Sequence, residues 1–160
     1  MKAKFFSLKI LLILIIAINF TAFGKGHMAP KLKLKDINGN IVSYKDLMGK
    51  PTILVFWSPN CHSCKDELPA LDRLYKKYKG KVNFYAVVVN TDDIQEIKET
   101  QKQWGFEMPI LIGTPRTIYR FRIIGTPITY VIKQDWRIFK QHIGKTPIEK
   151  IEKEIETLLQ

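Results

Sequence analysis

The chain has 160 residues and a formal charge of +11, from 26 Lys and Arg against 15 Asp and Glu. That length suits one domain, and a hydrophobic content of 46% is enough for a core. The cations are scattered rather than gathered into a stripe with interleaved aromatics, which argues against nucleic-acid binding and for a solvated basic surface suited to acidic partners or anionic lipid.

Residues 1–24 read as an export signal. Lys2, Lys4 and Lys9, with no acid among them, precede an apolar run over 10–23 broken only by Asn19 and Thr21. The run is shorter than the roughly 20 residues of a membrane-spanning helix. Ala22-Phe23-Gly24 offers small residues at the −3 and −1 positions of a cleavage site. A signal peptide is expected, with an uncleaved N-terminal membrane anchor as the alternative. No cysteine lies near the site to carry a lipid. Either reading puts the domain, residues 25–160, in the periplasm or on the outer side of the cytoplasmic membrane, where disulfides persist.

After a short linker at 26–30, Leu32-Lys33-Leu34-Lys35 alternates like a strand, Asn38-Gly39 is a hairpin turn signal, and Ile41-Val42-Ser43 returns. Asp46-Leu47 and Gly49-Lys50 predict a turn before Pro51. The unbroken apolar run 52–57 predicts a central strand covered on both faces. A helix follows from Cys61 to about Tyr78, with Leu68, Leu71, Tyr75 and Tyr78 at helical spacing. Pro69 should kink it and Gly80 stop it. Residues 82–90 predict a second buried strand. Thr91 is placed to cap a helix from Asp92 to Trp104 that ends at Gly105, and 109–112 read as a short third strand. Thr114-Pro115 looks like an N-cap followed by the first residue of a short helix. Residues 128–133 and 137–143 predict a hairpin across Gln134-Asp135. Thr146-Pro147-Ile148-Glu149 has the capping-box pattern and opens a last helix with Ile148, Ile151, Ile155 and Leu158 on one face. The whole is a small α/β sandwich around a mixed sheet.

Both cysteines of the chain fall in Cys61-His62-Ser63-Cys64. A disulfide across so short a loop adds little stability, so reactivity is the better reading. At a helix N-terminus the free N–H groups and the helix dipole stabilise a thiolate on Cys61. Cys61 is therefore the expected nucleophile and Cys64, one turn on, the resolving thiol. His62 is expected to tune Cys61, because an imidazolium beside a thiol favours its thiolate; an uninvolved surface histidine is the bland reading. Glu67, one turn after Cys64 on the same face, is expected to accept or relay the proton of Cys64. Its bland reading is an acid favoured early in a helix. Trp57 should pack beside the loop that carries the cysteines. Trp104, Trp136 and His142 read as structural.

These stretches resemble the thioredoxin superfamily, and within it the exported TlpA/ResA-type branch of membrane-associated thiol–disulfide oxidoreductases. The resemblance rests on Asp36 with Asn38-Gly39, Gly49-Lys50-Pro51, Phe56-Trp57 ahead of Cys61-x-x-Cys64, Glu67-Leu68-Pro69, and Gly125-Thr126-Pro127 before a strand. It implies a thioredoxin fold, with a central mixed β-sheet flanked by helices and an N-terminal β-hairpin extension. It further implies disulfide exchange with substrate proteins, no metal, no cofactor beyond the Cys61–Cys64 disulfide, and a membrane or periplasmic electron-transfer partner. A cis-proline loop at Thr126-Pro127, with Trp57, is the implied substrate-binding region. Gly-Thr-Pro also occurs at 113–115, but only the second copy precedes a β-rich run. Members of the branch serve cytochrome c maturation, sporulation or general periplasmic thiol reduction, so no one substrate follows.

Three departures leave the redox direction open. Val55 stands where cytoplasmic thioredoxins carry a buried aspartate, Asn60 replaces a tryptophan common before the first cysteine, and His62-Ser63 is not the Gly-Pro or Pro-Pro of many reductants. The alternative from another class is a copper-binding metallochaperone on the same fold, since thiolates suit Cu(I). Such carriers space their cysteines by three residues and use a distal histidine, for which His142 and the poorly placed His27 are the candidates. A peroxiredoxin fits less well: Ser58 stands three before Cys61, but Leu54 occupies the place of the expected upstream proline.

Overall fold

The computed structural model describes residues 26–160; the expected signal peptide or anchor at 1–24 lies outside the described residues. Its elements in chain order are β1 (Lys33–Lys35), β2 (Ile41–Ser43), α1 (Tyr44–Leu47), β3 (Thr52–Trp57), α2 (His62–Lys77), β4 (Asn83–Val88), α3 (Ile94–Trp104), β5 (Ile110–Ile112), α4 (Pro115–Arg120), β6 (Ile128–Ile132), β7 (Ile138–Ile143) and α5 (Ile148–Leu159). Strands β1 and β2 form the N-terminal hairpin, and the main sheet has the order β5-β4-β3-β6-β7. β3 runs parallel to β4 and β4 to β5, while β6 is antiparallel to both β3 and β7. This is the expected thioredoxin fold.

Every residue of β3 is buried, and its alternation divides the core in two. Ile53, Val55 and Trp57 face Leu68 and Leu71 of α2, Ile97 of α3 and Ile155 of α5. Leu54 and Phe56 face the other side, where Leu34, Leu47, Phe121 and Trp136 cover the sheet. The unbroken apolar run thus records two covered faces. The parallel strands β3, β4 and β5 end at one edge of the sheet, and β6 begins there.

Local predictions fail where two neighbouring groups compete. The turn expected at 46–50 begins as helix α1, because the Ser43 N–H and hydroxyl both donate to Asp46 Oδ2 at 2.8 Å. Asp93, not Thr91, caps α3: its Oδ1 accepts from Gln95 N at 2.9 Å and Glu96 N at 3.2 Å. Thr91 instead donates to Glu96 Oε2 at 2.6 Å. The expected capping box at Thr146 does not form; Pro147 occupies the N-cap of α5 with no side-chain bond. Helix α2 continues through Pro69 to Lys77 as one element. Gly105, with φ of 71°, closes α3 as expected.

Candidate active site

Strand β3 runs into Ser58-Pro59-Asn60 and delivers Cys61 to the N-terminus of α2, where the Cys61 N–H donates to Ser58 O at 3.0 Å. Cys61 is the N-cap, with φ of −92° and ψ of 104°. Its Sγ accepts the Cys64 N–H at 3.2 Å, a donor it shares with the Cys61 carbonyl at the same distance, so a helix-end N–H points at the sulfur. The two sulfurs are joined as a disulfide, with the Cα atoms 5.3 Å apart. Cys61 keeps 9% of its surface exposed and Cys64 none. Cys61 is thus the more accessible of the two. His62 and Ser63 are exposed beside it.

Glu67 lies one turn after Cys64 and is 2% exposed. Its carboxylate accepts from Thr129 Oγ1 at 3.0 Å and from the Thr146 N–H at 3.3 Å. Burial pushes its pKa above the ordinary 4.5, against the opposing pull of those two bonds and of the Lys145 charge. Thr129 stands opposite Val55 on β3 and opposite His142 on β7. His142 Nε2 lies 2.8 Å from Glu154 Oε2, both side chains largely buried. A polar seam thus crosses the otherwise apolar layer under α2 and α5. At its rim Lys145 bonds Asp66 at 2.8 Å, and this holds the Asp66 carboxyl below the usual range.

The Thr126–Pro127 peptide bond is cis. Ile128 is in register with Phe56, which sets Pro127 level with Trp57, the last residue of β3. The Pro127 carbonyl accepts the Gly144 N–H at 2.8 Å. Trp57, expected among the substrate-binding residues, is fully buried. Its ring centroid lies 5.4 Å from that of Trp104 and 5.6 Å from that of Phe106. Its Nε1 has no hydrogen-bond partner among the described residues. Trp57 shares one buried cluster with Cys61 and Cys64. His142, the distal histidine a copper site would need, is engaged by Glu154 inside the seam.

Sequence reasoning missed Thr129 and Thr146 as partners of Glu67. Thr129 left one trace, a hydroxyl inside the apolar run Ile128–Ile132; a polar residue there needs a partner. Thr146 contributes through its backbone and left none. Tyr119 and Ile124, each 83% exposed in the stretch that leads to Thr126–Pro127, were also missed.

A Cys61–Cys64 disulfide at the start of α2, on this fold, marks the class: a thiol–disulfide oxidoreductase on the thioredoxin fold. The chain belongs to the AhpC/TSA family, whose sequence profile matches residues 25–140. It is 32% identical over 159 residues to the thiol-disulfide oxidoreductase ResA of Bacillus anthracis, covering 92% of this chain and 91% of that one. It is 30% identical over 147 residues to ResA of Bacillus subtilis strain 168, covering 84% and 82%. Among solved structures it resembles a thiol:disulfide interchange protein of the thioredoxin family from Chlorobium tepidum TLS. That match has a TM-score of 0.76 at 22% identity, over 86% of this chain and 99% of that one; a likeness at that identity speaks for the fold.

Proposed function

We propose that the protein is an exported oxidoreductase that exchanges disulfides with substrate proteins outside the cytoplasmic membrane. The observation that carries the exchange chemistry is the unequal exposure of the two joined cysteines, 9% for Cys61 and none for Cys64. In the reducing direction the Cys61 thiolate attacks one sulfur of a substrate disulfide. That S–S bond breaks, one substrate thiolate leaves, and the other stays bonded to Cys61. Cys64 then gives up its proton, with Glu67 as the acceptor, and attacks Cys61 Sγ. The second substrate thiolate leaves, and the Cys61–Cys64 disulfide is restored with two electrons passed to the substrate. The oxidising direction is the same sequence reversed. His62 lies close enough along the helix to tune Cys61. The backbone at Thr126–Pro127, level with the end of β3, is placed to lie along an extended substrate segment. A membrane or periplasmic electron-transfer partner resets the pair. The apolar run 10–23 supports export, with or without a lasting tether, and cytochrome c maturation is one task this chemistry serves.

Covalent trapping tests the division of labour. Cys64→Ser leaves Cys61 able to attack but unable to release its partner, so mixed disulfides accumulate and disappear on reduction. Cys61→Ser traps little, because Cys64 is shielded. Equal trapping by both variants would refute the assignment. No trapping by either, with tight Cu(I) binding lost in both, would replace the enzyme with a copper carrier.

A further inference from the structure

On the face of the sheet opposite α2, the N-terminal hairpin and α4 enclose an open cleft of about 500 Å³. Five cations line it: Lys31 and Lys33 at the hairpin's first strand, Lys45 of α1, and Arg116 and Arg120 of α4. No acid lines it, and all five side chains are exposed. Among the described residues the ion pairs engage Lys76, Lys77, Arg137, His142 and Lys145, and none of these five. The nearest acid in sequence, Asp46, has its carboxylate turned to Ser43. No Asp or Glu occurs between Glu107 and Asp135. Arg116 and Arg120 stand one turn apart on α4, and Lys31 lies 5.7 Å over the Tyr44 ring. Like charges gathered in one concavity repel, and an anionic occupant relieves that repulsion.

Topology ties the cleft to the exchange centre. Helix α4 starts directly after β5, at the sheet edge where β3 delivers Cys61, two strands or about 10 Å away. It leads through Ile124 into Thr126–Pro127. Tyr119 of α4 and Ile124 just after it are each 83% exposed, with the exposed Arg122 between them. The basic cleft thus adjoins a shelf of Tyr119, Arg122 and Ile124, apolar but for one further cation, that leads in the chain to the Thr126–Pro127 loop.

We propose that this cleft seats an acidic segment of the protein partner, so that exchange at Cys61 favours thiol proteins with Asp- or Glu-rich sequence near the reacting cysteine. The proposal rests on the exchange activity and adds its partner class. Two synthetic peptides test it, each with one cysteine, one carrying a run of glutamates and the other glutamines in their place. The rate at which each reduced peptide opens the Cys61–Cys64 disulfide is measured, with dithiothreitol as the reference thiol in every variant. The glutamate peptide should outpace the glutamine peptide by about tenfold at low salt. The ratio should fall towards one in about 1 M sodium chloride, where screening acts within ~3 Å. Arg116→Glu with Arg120→Glu should abolish the preference. Lys98→Glu with Lys102→Glu, the same spacing and charge change on α3 across the sheet, should keep it. Equal rates for the two peptides would overturn the proposal while the dithiothreitol reaction upholds the activity. An equal loss in the α3 variant would overturn it in favour of diffuse net charge. Binding of phosphatidylglycerol vesicles through the cleft without any peptide preference would overturn it in favour of a lipid headgroup. A disulfide that dithiothreitol cannot open would remove the activity itself and the proposal with it.

Discussion

Glu67→Gln tests whether burial controls the group behind Cys64. The protonated carboxyl and the amide have nearly the same shape, and each can accept from Thr129 Oγ1 with one oxygen. Each then turns a donor toward the Thr146 N–H. In acid, where wild-type Glu67 is protonated in both folded and unfolded chains, the two proteins should match within about 1 kcal/mol. As pH rises past the ordinary value of 4.5, the unfolded wild type releases the proton while the fold, whose Glu67 pKa is raised, keeps it. Over that window the folded state binds more protons than the unfolded, so wild-type stability falls as pH rises. The loss is complete once the raised pKa is passed, at about 1.4 kcal/mol per unit of separation. The glutamine variant lacks this loss. Its stability relative to wild type should therefore climb from pH 4.5 upwards and then level off. Urea denaturation of the oxidised proteins across pH 4–9 measures the difference, since the disulfide removes thiol titration and the other carboxylates cancel. A flat difference, or one that moves in favour of wild type as pH rises, would show that the bonds from Thr129 and Thr146 and the charge of Lys145 outweigh burial. In the reduced protein the same change should slow release of a mixed disulfide by on the order of 10²-fold, the usual scale for a lost proton acceptor. The first attack by Cys61 should change little.

Two further outcomes follow from the geometry. Asp72 Oδ1 accepts the N–H groups of Glu107 at 2.7 Å and Met108 at 2.8 Å, so Asp72→Ala strands two donors against a buried methionine and should cost about 2–4 kcal/mol. Asp72→Asn keeps an acceptor oxygen and should cost about 1 kcal/mol; equal losses in urea denaturation would refute the account. The reduction potential of the Cys61–Cys64 pair should lie between about −270 and −180 mV, and His62→Ala should lower it by on the order of 30 mV, a tenfold change in the equilibrium. Equilibration with glutathione measures both, and an unchanged potential in the variant would leave His62 a bystander.

Much of the centre was legible in the sequence because it is built from local signals. The unbroken run ending at Trp57, the paired cysteines at a helix start and the helix end at Gly105 each lie within a few residues of what causes them. The Thr126–Pro127 loop was legible through resemblance and through the β-rich run that follows it, which Pro115 lacks. Choices between neighbouring groups were harder. Thr91 and Asp93 both suit a cap, and only the path of the chain into α3 selects Asp93. The environment of Glu67 was out of reach: Thr129 is 62 residues away, and the Thr146 N–H 79 away. Strand register decides such contacts. Pairing Val55 with Thr129 and Thr129 with His142 puts one hydroxyl and one imidazole on the face that α2 and α5 cover, and a slip of one residue would turn both away. The same holds for Trp57, whose position beside the cysteines suggested a contact surface until packing on Trp104 and Phe106 placed it inside. The cleft joins Lys31, Lys33 and Lys45 to Arg116 and Arg120 only because the hairpin docks beside α4. Sequence fixes which side chains can carry charge, thiolate or proton; the tertiary structure decides which of them share a space from which water is excluded, and there burial and pairing set their chemistry.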